Sequence, residues 1–92
     1  MLSDSNKISR KRVPQAHFYT RAGCSLCERA SRVLARLERE GYLTVERLDI
    51  AADPTLDEQY GMRIPVVELS TGYRFEGRIS EYRLRKALTD SG

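Results

Sequence analysis

The stretch Phe18–Cys27, which reads Phe-Tyr-Thr-Arg-Ala-Gly-Cys-Ser-Leu-Cys, decides how this 92-residue chain folds. Its first half belongs to a short aromatic segment, Ala16–Thr20, which predicts a β-strand ended by the residues before the first cysteine. Apolar residues then recur with helical spacing, which predicts a helix over residues 25–40. These apolar residues are Ala30, Val33, Leu34 and Leu37. The two cysteines therefore lie where a strand ends and a helix begins.

The middle of the chain predicts a second strand and a short helix. Residues 43–50 contain enough apolar and β-branched side chains for a strand. Asp53 is a good N-cap, and Pro54 suits the first position of a helix that would end at Tyr60, before Gly61. The first strand, first helix and second strand then form a right-handed βαβ unit.

The last third predicts two strands and a final helix. Residues 66–69 and 73–76 flank the turn Ser70-Thr71-Gly72, as in a β-hairpin. Ser80 can cap the final helix, Ile79 and Leu84 can form a hydrophobic staple, and Tyr82 or Leu84 would start its buried face. The order β-α-β-α-β-β-α predicts an α/β fold, a four-stranded mixed sheet flanked by helices on both faces.

Length and composition predict one globular domain over residues 15–92. The net charge of +3 comes from residues 1–13, which hold four basic residues and one acid, while the rest carries 12 of each sign. We therefore expect residues 1–14 to be a solvated, disordered basic tail, without a nucleic-acid partner. The sequence has no run of 18 apolar residues and no secretory signal. We expect a cytoplasmic protein without a membrane partner.

The positions of Cys24 and Cys27 favour redox chemistry. The free N–H groups and the dipole of a helix's first turn stabilise an anion, and a thiolate is such an anion. Arg21 and Arg29 add positive charge nearby, and Glu28 opposes them. Two intervening residues bring the sulfurs within bonding reach. We expect Cys24 to be the attacking thiolate and Cys27 to be the resolving thiol that breaks the mixed disulfide.

Two other functions remain open. A single Cys-x-x-Cys pair is half of a structural zinc site, and His17 is the chain's one histidine. The cysteines of two chains could still hold a metal ion or an iron–sulfur cluster between them. In the third case the domain is an interaction module whose thiols are not used.

Three residues outside the pair have simple structural interpretations. Most Xaa–Pro bonds are trans, so sequence spacing alone predicts a trans bond between Ile64 and Pro65. His17 is expected to be a half-buried strand residue. Tyr19 and Tyr60 are expected to be core or rim aromatics.

The chain resembles the glutaredoxin-like family of the thioredoxin-fold superfamily. Phe18–Cys27 looks like the opening of glutaredoxins and of small glutaredoxin-like proteins. Asp53-Pro54, followed by residues 60–66 (Tyr-Gly-Met-Arg-Ile-Pro-Val), is similar to the segment that leads to the cis-proline of thioredoxins. Phe75-Glu76-Gly77 fits the same scheme, and the resemblance covers residues 16–88. It implies a thioredoxin-like fold and a thiol–disulfide oxidoreductase that reduces protein or glutathione mixed disulfides.

The same resemblance implies a substrate cleft. Pro65 would be cis and would pack beside Cys24, and the backbone of Ile64 would pair with a peptide or glutathione. No organic cofactor or metal would be bound, and electrons would come from glutathione or from a reductase.

The chain departs from the family pattern at two motifs. Ser25-Leu26 stands where glutaredoxins have Pro-Tyr and thioredoxins have Gly-Pro. The glutathione-binding Gly-Gly-acid motif appears only as Gly77-Arg78-Ile79-Ser80. The expected substrate contacts are Arg21, Ile64, Pro65, Gly77 and Arg78, with Arg63 or Arg78 offered to a carboxylate.

Overall fold

Four strands form one mixed sheet in the computed structural model, which describes residues 13–90. They are β1 (Gln15–Thr20), β2 (Thr44–Asp49), β3 (Val66–Leu69) and β4 (Arg74–Glu76), in the spatial order β2-β1-β3-β4. β1 is parallel to β2 and antiparallel to β3, and β3 is antiparallel to β4. The predicted four-stranded mixed sheet is confirmed.

Three α-helices connect and follow the strands, in the predicted order. They are α1 (Ser25–Arg39), α2 (Pro54–Tyr60) and α3 (Glu81–Asp90). The prediction was wrong at the end of β2, because Ile50 begins a 3₁₀ turn, Ile50–Ala52, instead of continuing the strand. The Asp49 side chain accepts a hydrogen bond from the Ala51 N–H at 2.9 Å and so caps this turn.

The helices divide between the two faces of the sheet. Side chains alternate along a strand, so Phe18 faces one side of β1 and Tyr19 faces the other. The face of Phe18 packs against the buried stripes of α1 and α3, which include Leu34 and Leu84. The face of Tyr19 packs against α2. Leu84 therefore supplies the buried face of α3.

The ends of α2 follow from local chemistry. The Asp53 carboxylate accepts a hydrogen bond from the Thr55 N–H at 2.9 Å, and Pro54 occupies the first turn. Gly61 keeps right-handed angles (φ −54°), so its role is not a left-handed cap. A Cβ at Gly61 would lie 2.5 Å from the Asp57 carbonyl oxygen, so this position needs glycine for space.

The start of α3 is capped as predicted. Ser80 Oγ accepts a hydrogen bond from the Arg83 N–H at 3.2 Å, and Ile79 packs against the cluster that contains Leu84. Of the predicted tail, only Val13 and Pro14 lie among the described residues. No helix in residues 13–90 is long and apolar enough to cross a membrane.

Candidate functional site

Cys24 occupies the N-cap position of α1. β1 ends at Thr20, and the chain turns through Gly23, whose φ of +80° lies in the left-handed region that favours glycine. The Cys24 sulfur is partly exposed and accepts a hydrogen bond from the Cys27 N–H at 3.2 Å. The helix terminus therefore offers this sulfur one of its free donors, as the spacing predicted.

Cys27 lies in a different environment one turn further into α1. Its side chain is 2% exposed, and both cysteines are free thiols. Burial is the main cause that raises the pKa of Cys27, and the neighbouring Cys24 adds to the increase. The Thr20 side chain and the Arg21 backbone act in the opposite direction and lower the pKa of Cys27 in part. Cys27 is consequently held as a neutral, shielded thiol at neutral pH.

A cavity of about 300 Å³ reaches Cys27 between α1 and the strands β1 and β2. Besides Cys27, its polar lining includes Thr20, Glu28, Ser31 and Asp49. The cavity gives the buried thiol an opening towards solvent that Cys24 does not line.

The Ile64–Pro65 bond is cis. The trans bond predicted from spacing is therefore wrong, and the cis bond implied by the family resemblance is confirmed. Tyr19 pairs with Val66 in the register of β1 and β3, so Pro65 lies across from Thr20, at the end of the sheet that leads to Cys24.

The backbone around Pro65 already has internal partners. The Ile64 N–H donates to the Tyr60 carbonyl at 3.1 Å, and the Pro65 carbonyl accepts from the Gly77 N–H at 2.9 Å. A substrate that paired with the Ile64 N–H would have to displace the end of α2. The substrate roles of Ile64, Pro65 and Gly77 stay predictions.

The arginines near the site differ in their pairing. Arg21 forms an ion pair with Asp57 of α2, so its guanidinium is tied to the protein itself. Arg63 and Arg78 are exposed, and neither forms an ion pair within residues 13–90. Arg63 and Arg78 are therefore free to meet a carboxylate, whereas Arg21 would first have to leave Asp57.

Tyr19 and Tyr60 form an aromatic pair on the α2 face. Their rings stack at 4.0 Å between centroids, and both hydroxyls donate to Glu68, at 3.5 and 3.4 Å. Burial, with Tyr60 and Glu68 beside it, raises the pKa of Tyr19 far above its ordinary value. Both are packing aromatics, as expected, and half-buried His17 contacts Glu46 of β2 at 3.2 Å.

Sequence reasoning missed two residues of this site. Thr20 was assigned only to the end of β1, yet its side chain lowers the pKa of the resolving thiol. Its signal was available, because polar residues at the carboxyl ends of neighbouring parallel strands meet at one edge of a sheet. The pairing of Asp57 with Arg21 spans 36 positions and has no local signal. Within residues 13–90, no group of three or more His, Cys, Asp or Glu side chains could hold a metal ion.

Comparison with known proteins agrees with this geometry. The model of the Glutaredoxin-like domain family (DUF836) matches residues 15–89. Uncharacterised proteins of Mycobacterium tuberculosis and Mycobacterium bovis are each 37% identical over 84 residues, which cover 85% of this chain and 86% of theirs.

Solved structures share the architecture. The X-ray structure of a structural-genomics protein from X. campestris has a TM-score of 0.65 and 31% identity, covering 84% of this chain and 97% of its own. A mutant thioredoxin from Halobacterium salinarum has a TM-score of 0.70 at 16% identity, covering 96% of this chain and 82% of its own. The latter likeness establishes the thioredoxin fold alone. By its family match and its relatives, the chain belongs to the glutaredoxin-like domain family.

Proposed function

We propose that this protein is a dithiol thiol–disulfide oxidoreductase that reduces protein or glutathione mixed disulfides. The observation that carries the proposal is the asymmetry of the two thiols. Cys24 is partly exposed and accepts a helix N–H, whereas Cys27 is 2% exposed and has a raised pKa. One sulfur is thus suited to attack a substrate, and the other is withheld until a mixed disulfide forms beside it.

The reaction has two exchange steps. The Cys24 thiolate attacks one sulfur of the substrate disulfide, forms a mixed disulfide and releases the other sulfur as a thiolate. Cys27 then loses its proton and attacks the Cys24 sulfur, which closes the Cys24–Cys27 disulfide and releases the second substrate thiol. The substrate gains two electrons and two protons, and the protein loses two of each.

The second step requires removal of the proton from Cys27. The Thr20 side chain and the Arg21 backbone lower the pKa of Cys27 and so favour its thiolate. Water in the cavity that Cys27 shares with Glu28 and Asp49 would carry the proton away. Thr20 is thus a positioning residue for the resolving thiol.

Two thiols of glutathione, or a reductase, would return the electrons, and no bound cofactor is required. Substrate would meet the backbone of Ile64 beside Pro65, and the Arg78 guanidinium, near Gly77, would contact a carboxylate. A reducing compartment such as the cytoplasm would keep both thiols available.

Trapping of the intermediate tests the proposal. The Cys27→Ser variant should accumulate a stable mixed disulfide with glutathione when mixed with oxidised glutathione, because no resolving thiol remains. The matched Cys24→Ser variant should form no such adduct at neutral pH. Intact-protein mass spectrometry reads both results.

Other outcomes would replace this function with its alternatives. A coloured or metal-containing dimer after anaerobic purification, lost in Cys24→Ser, would establish a bridging metal or iron–sulfur site instead. Equal adduct formation at both cysteines, with no disulfide reductase activity in the wild-type protein, would indicate an interaction domain with unused thiols.

A further inference from the structure

A groove runs between β4 and α3 on the side of the sheet away from β2. It consists of two adjoining hollows of about 270 and 400 Å³, and both are lined by Phe75 and Arg83. The first hollow extends to Tyr73 and Lys86, and the second extends to Arg78. We name these five residues the β4–α3 groove.

The groove carries an excess of positive charge, although the Asp90 carboxylate also lines its first hollow. Arg78, Arg83 and Lys86 are exposed, and none of them forms an ion pair within the part of the chain that the structure describes. Glu76 in the second hollow is neutralised by Arg74, whose Nε lies 2.9 Å from its carboxylate. Since the field of a groove attracts the opposite charge, its occupant should be anionic.

The groove also presents a free strand edge and aromatic surface. The Tyr73 carbonyl and the Gly77 N–H bond to β3, so the N–H and C=O groups of the intervening Arg74 and Glu76 point away from the sheet. Tyr73 is 44% exposed and stacks loosely on Phe75, with 6.4 Å between centroids. An extended peptide could pair with this edge and place apolar side chains against the two rings.

One end of the groove adjoins the candidate site. Gly77 bonds to Pro65, and the strand register places Pro65 across from Thr20, four residues before Cys24. A peptide lying along β4 would therefore leave the groove at the end of the sheet that carries the cysteines.

We propose that the β4–α3 groove binds an extended acidic segment of a disulfide-bearing protein substrate. The inference rests on the proposed function, because only that function makes the occupant a substrate. It adds the class of protein substrate, namely one with an extended acidic segment. The chain's own N-terminal residues 1–13 carry a net charge of +3, so charge disfavours them as the occupant. A nucleic acid would be attracted by the cations, but it would not form strand pairing with the outward N–H and C=O groups of β4.

The test uses a thiol-free probe, so that binding is measured separately from redox chemistry. The probe is an octapeptide of alternating Glu and Val, and its control has Gln in place of each Glu. Nuclear magnetic resonance titration of the full chain should show shifts at the amides of Arg74, Glu76 and Arg83 with the acidic peptide. Added salt should weaken binding, because exposed charges are screened over about 10 Å at 0.1 M ionic strength.

Paired charge variants locate the binding. The double variant Arg83→Gln and Lys86→Gln should bind the acidic peptide with about fivefold lower affinity, the loss expected for two exposed ion pairs. Arg32→Gln with Arg39→Gln removes the same charge from the exposed side of α1 and should leave the affinity unchanged.

Several results would overturn the proposal. These are an absence of shifts, equal binding of the Gln control peptide, or equal losses in the two double variants. A dT12 oligonucleotide that binds this groove more tightly than the acidic peptide at the same salt would assign it to nucleic acid. Self-association that is lost only in the Arg83 and Lys86 variant would assign it to a second copy. The Cys27→Ser trapping experiment tests the proposed redox function separately, so its result does not depend on any of these outcomes.

Discussion

At the scale of residues, the two cysteines differ because α1 begins at Ser25, between Cys24 and Cys27. Cys24 caps the helix and is partly exposed, while Cys27 is buried against the end of β1. Thr20 reduces this difference, since its side chain lowers a pKa of Cys27 that burial raises. Thr20, the last residue of β1, therefore influences the ionisation of the resolving thiol.

Thr20→Val should slow the resolving step. The valine keeps the shape and removes the hydroxyl donor, so the pKa of Cys27 should rise further and its thiolate should become scarcer. We expect a roughly tenfold slower release of the second substrate thiol, as for one lost hydrogen bond to an anion. Stopped-flow measurement of the decay of the mixed disulfide gives the rate of this step.

Thr55→Val is the control for that experiment, because Thr55 is exposed on α2, does not line the Cys27 cavity and does not influence the pKa of Cys27. Equal decay rates in wild type and Thr20→Val would remove Thr20 from the mechanism.

At the scale of elements, an ion-pair cluster joins α1 to α3. Glu81 accepts from Arg85, at 2.9 Å from its Nε, and is also paired with Arg36 of α1. Arg85 reaches back to Glu40 at 2.9 Å. The Arg85 hydrogen bond is the main cause that lowers the pKa of Glu81.

Glu81→Gln should reduce stability at neutral pH and not in acid. The pKa of Glu81 is lower in the folded state, so its stabilisation is present above the unfolded pKa and is lost as pH falls through the folded one. The gap in Tm between wild type and variant should thus be small but measurable at pH 7 and should close as the pH falls through the lowered pKa of Glu81.

Glu58→Gln is the matched control, since Glu58 is exposed and forms no ion pair within residues 13–90. A Tm gap for Glu81→Gln that persists unchanged in acid would contradict the electrostatic origin.

The segment between β4 and α3 makes the glutathione contact testable. Arg78 is exposed and unpaired among the described residues, so a glutathione carboxylate should shift its amide at millimolar ligand. Arg78→Gln should weaken this binding by a few-fold, as for one exposed charge pair. If the Arg78 and Arg63 amides stay unchanged in the wild-type titration, neither arginine recognises glutathione.

At the scale of the whole molecule, the features that neighbouring residues determine could be predicted from the sequence, and those that depend on distant segments could not. The bounds of α2 matched the prediction because Asp53 and Pro54 act within one turn. The cis bond before Pro65 and the pairing of Arg21 with Asp57 depend on segments that meet only in the fold. The cysteine pair could be found from the sequence, but the residues that differentiate its two thiols could not all be found there.

Architecture also explains why the site and the groove share one end of the sheet. β1 leads to Cys24 at that end, Pro65 lies there directly before β3, and β4 ends there next to Gly77. Three neighbouring strands thus bring the attacking sulfur, the cis-proline and the free strand edge to a common side. We expect both the selection of the substrate and the exchange of sulfur to depend on this arrangement.

The most direct test of the thiol asymmetry is the rate of iodoacetamide alkylation of the reduced protein as a function of pH, with Cys24 and Cys27 resolved by mass spectrometry. We predict that Cys24 is alkylated at neutral pH and that Cys27 reacts only in alkaline solution, because its pKa is raised by burial. Equal alkylation of the two cysteines across the pH range, or faster reaction of Cys27, would contradict the assignment of nucleophile and resolving thiol.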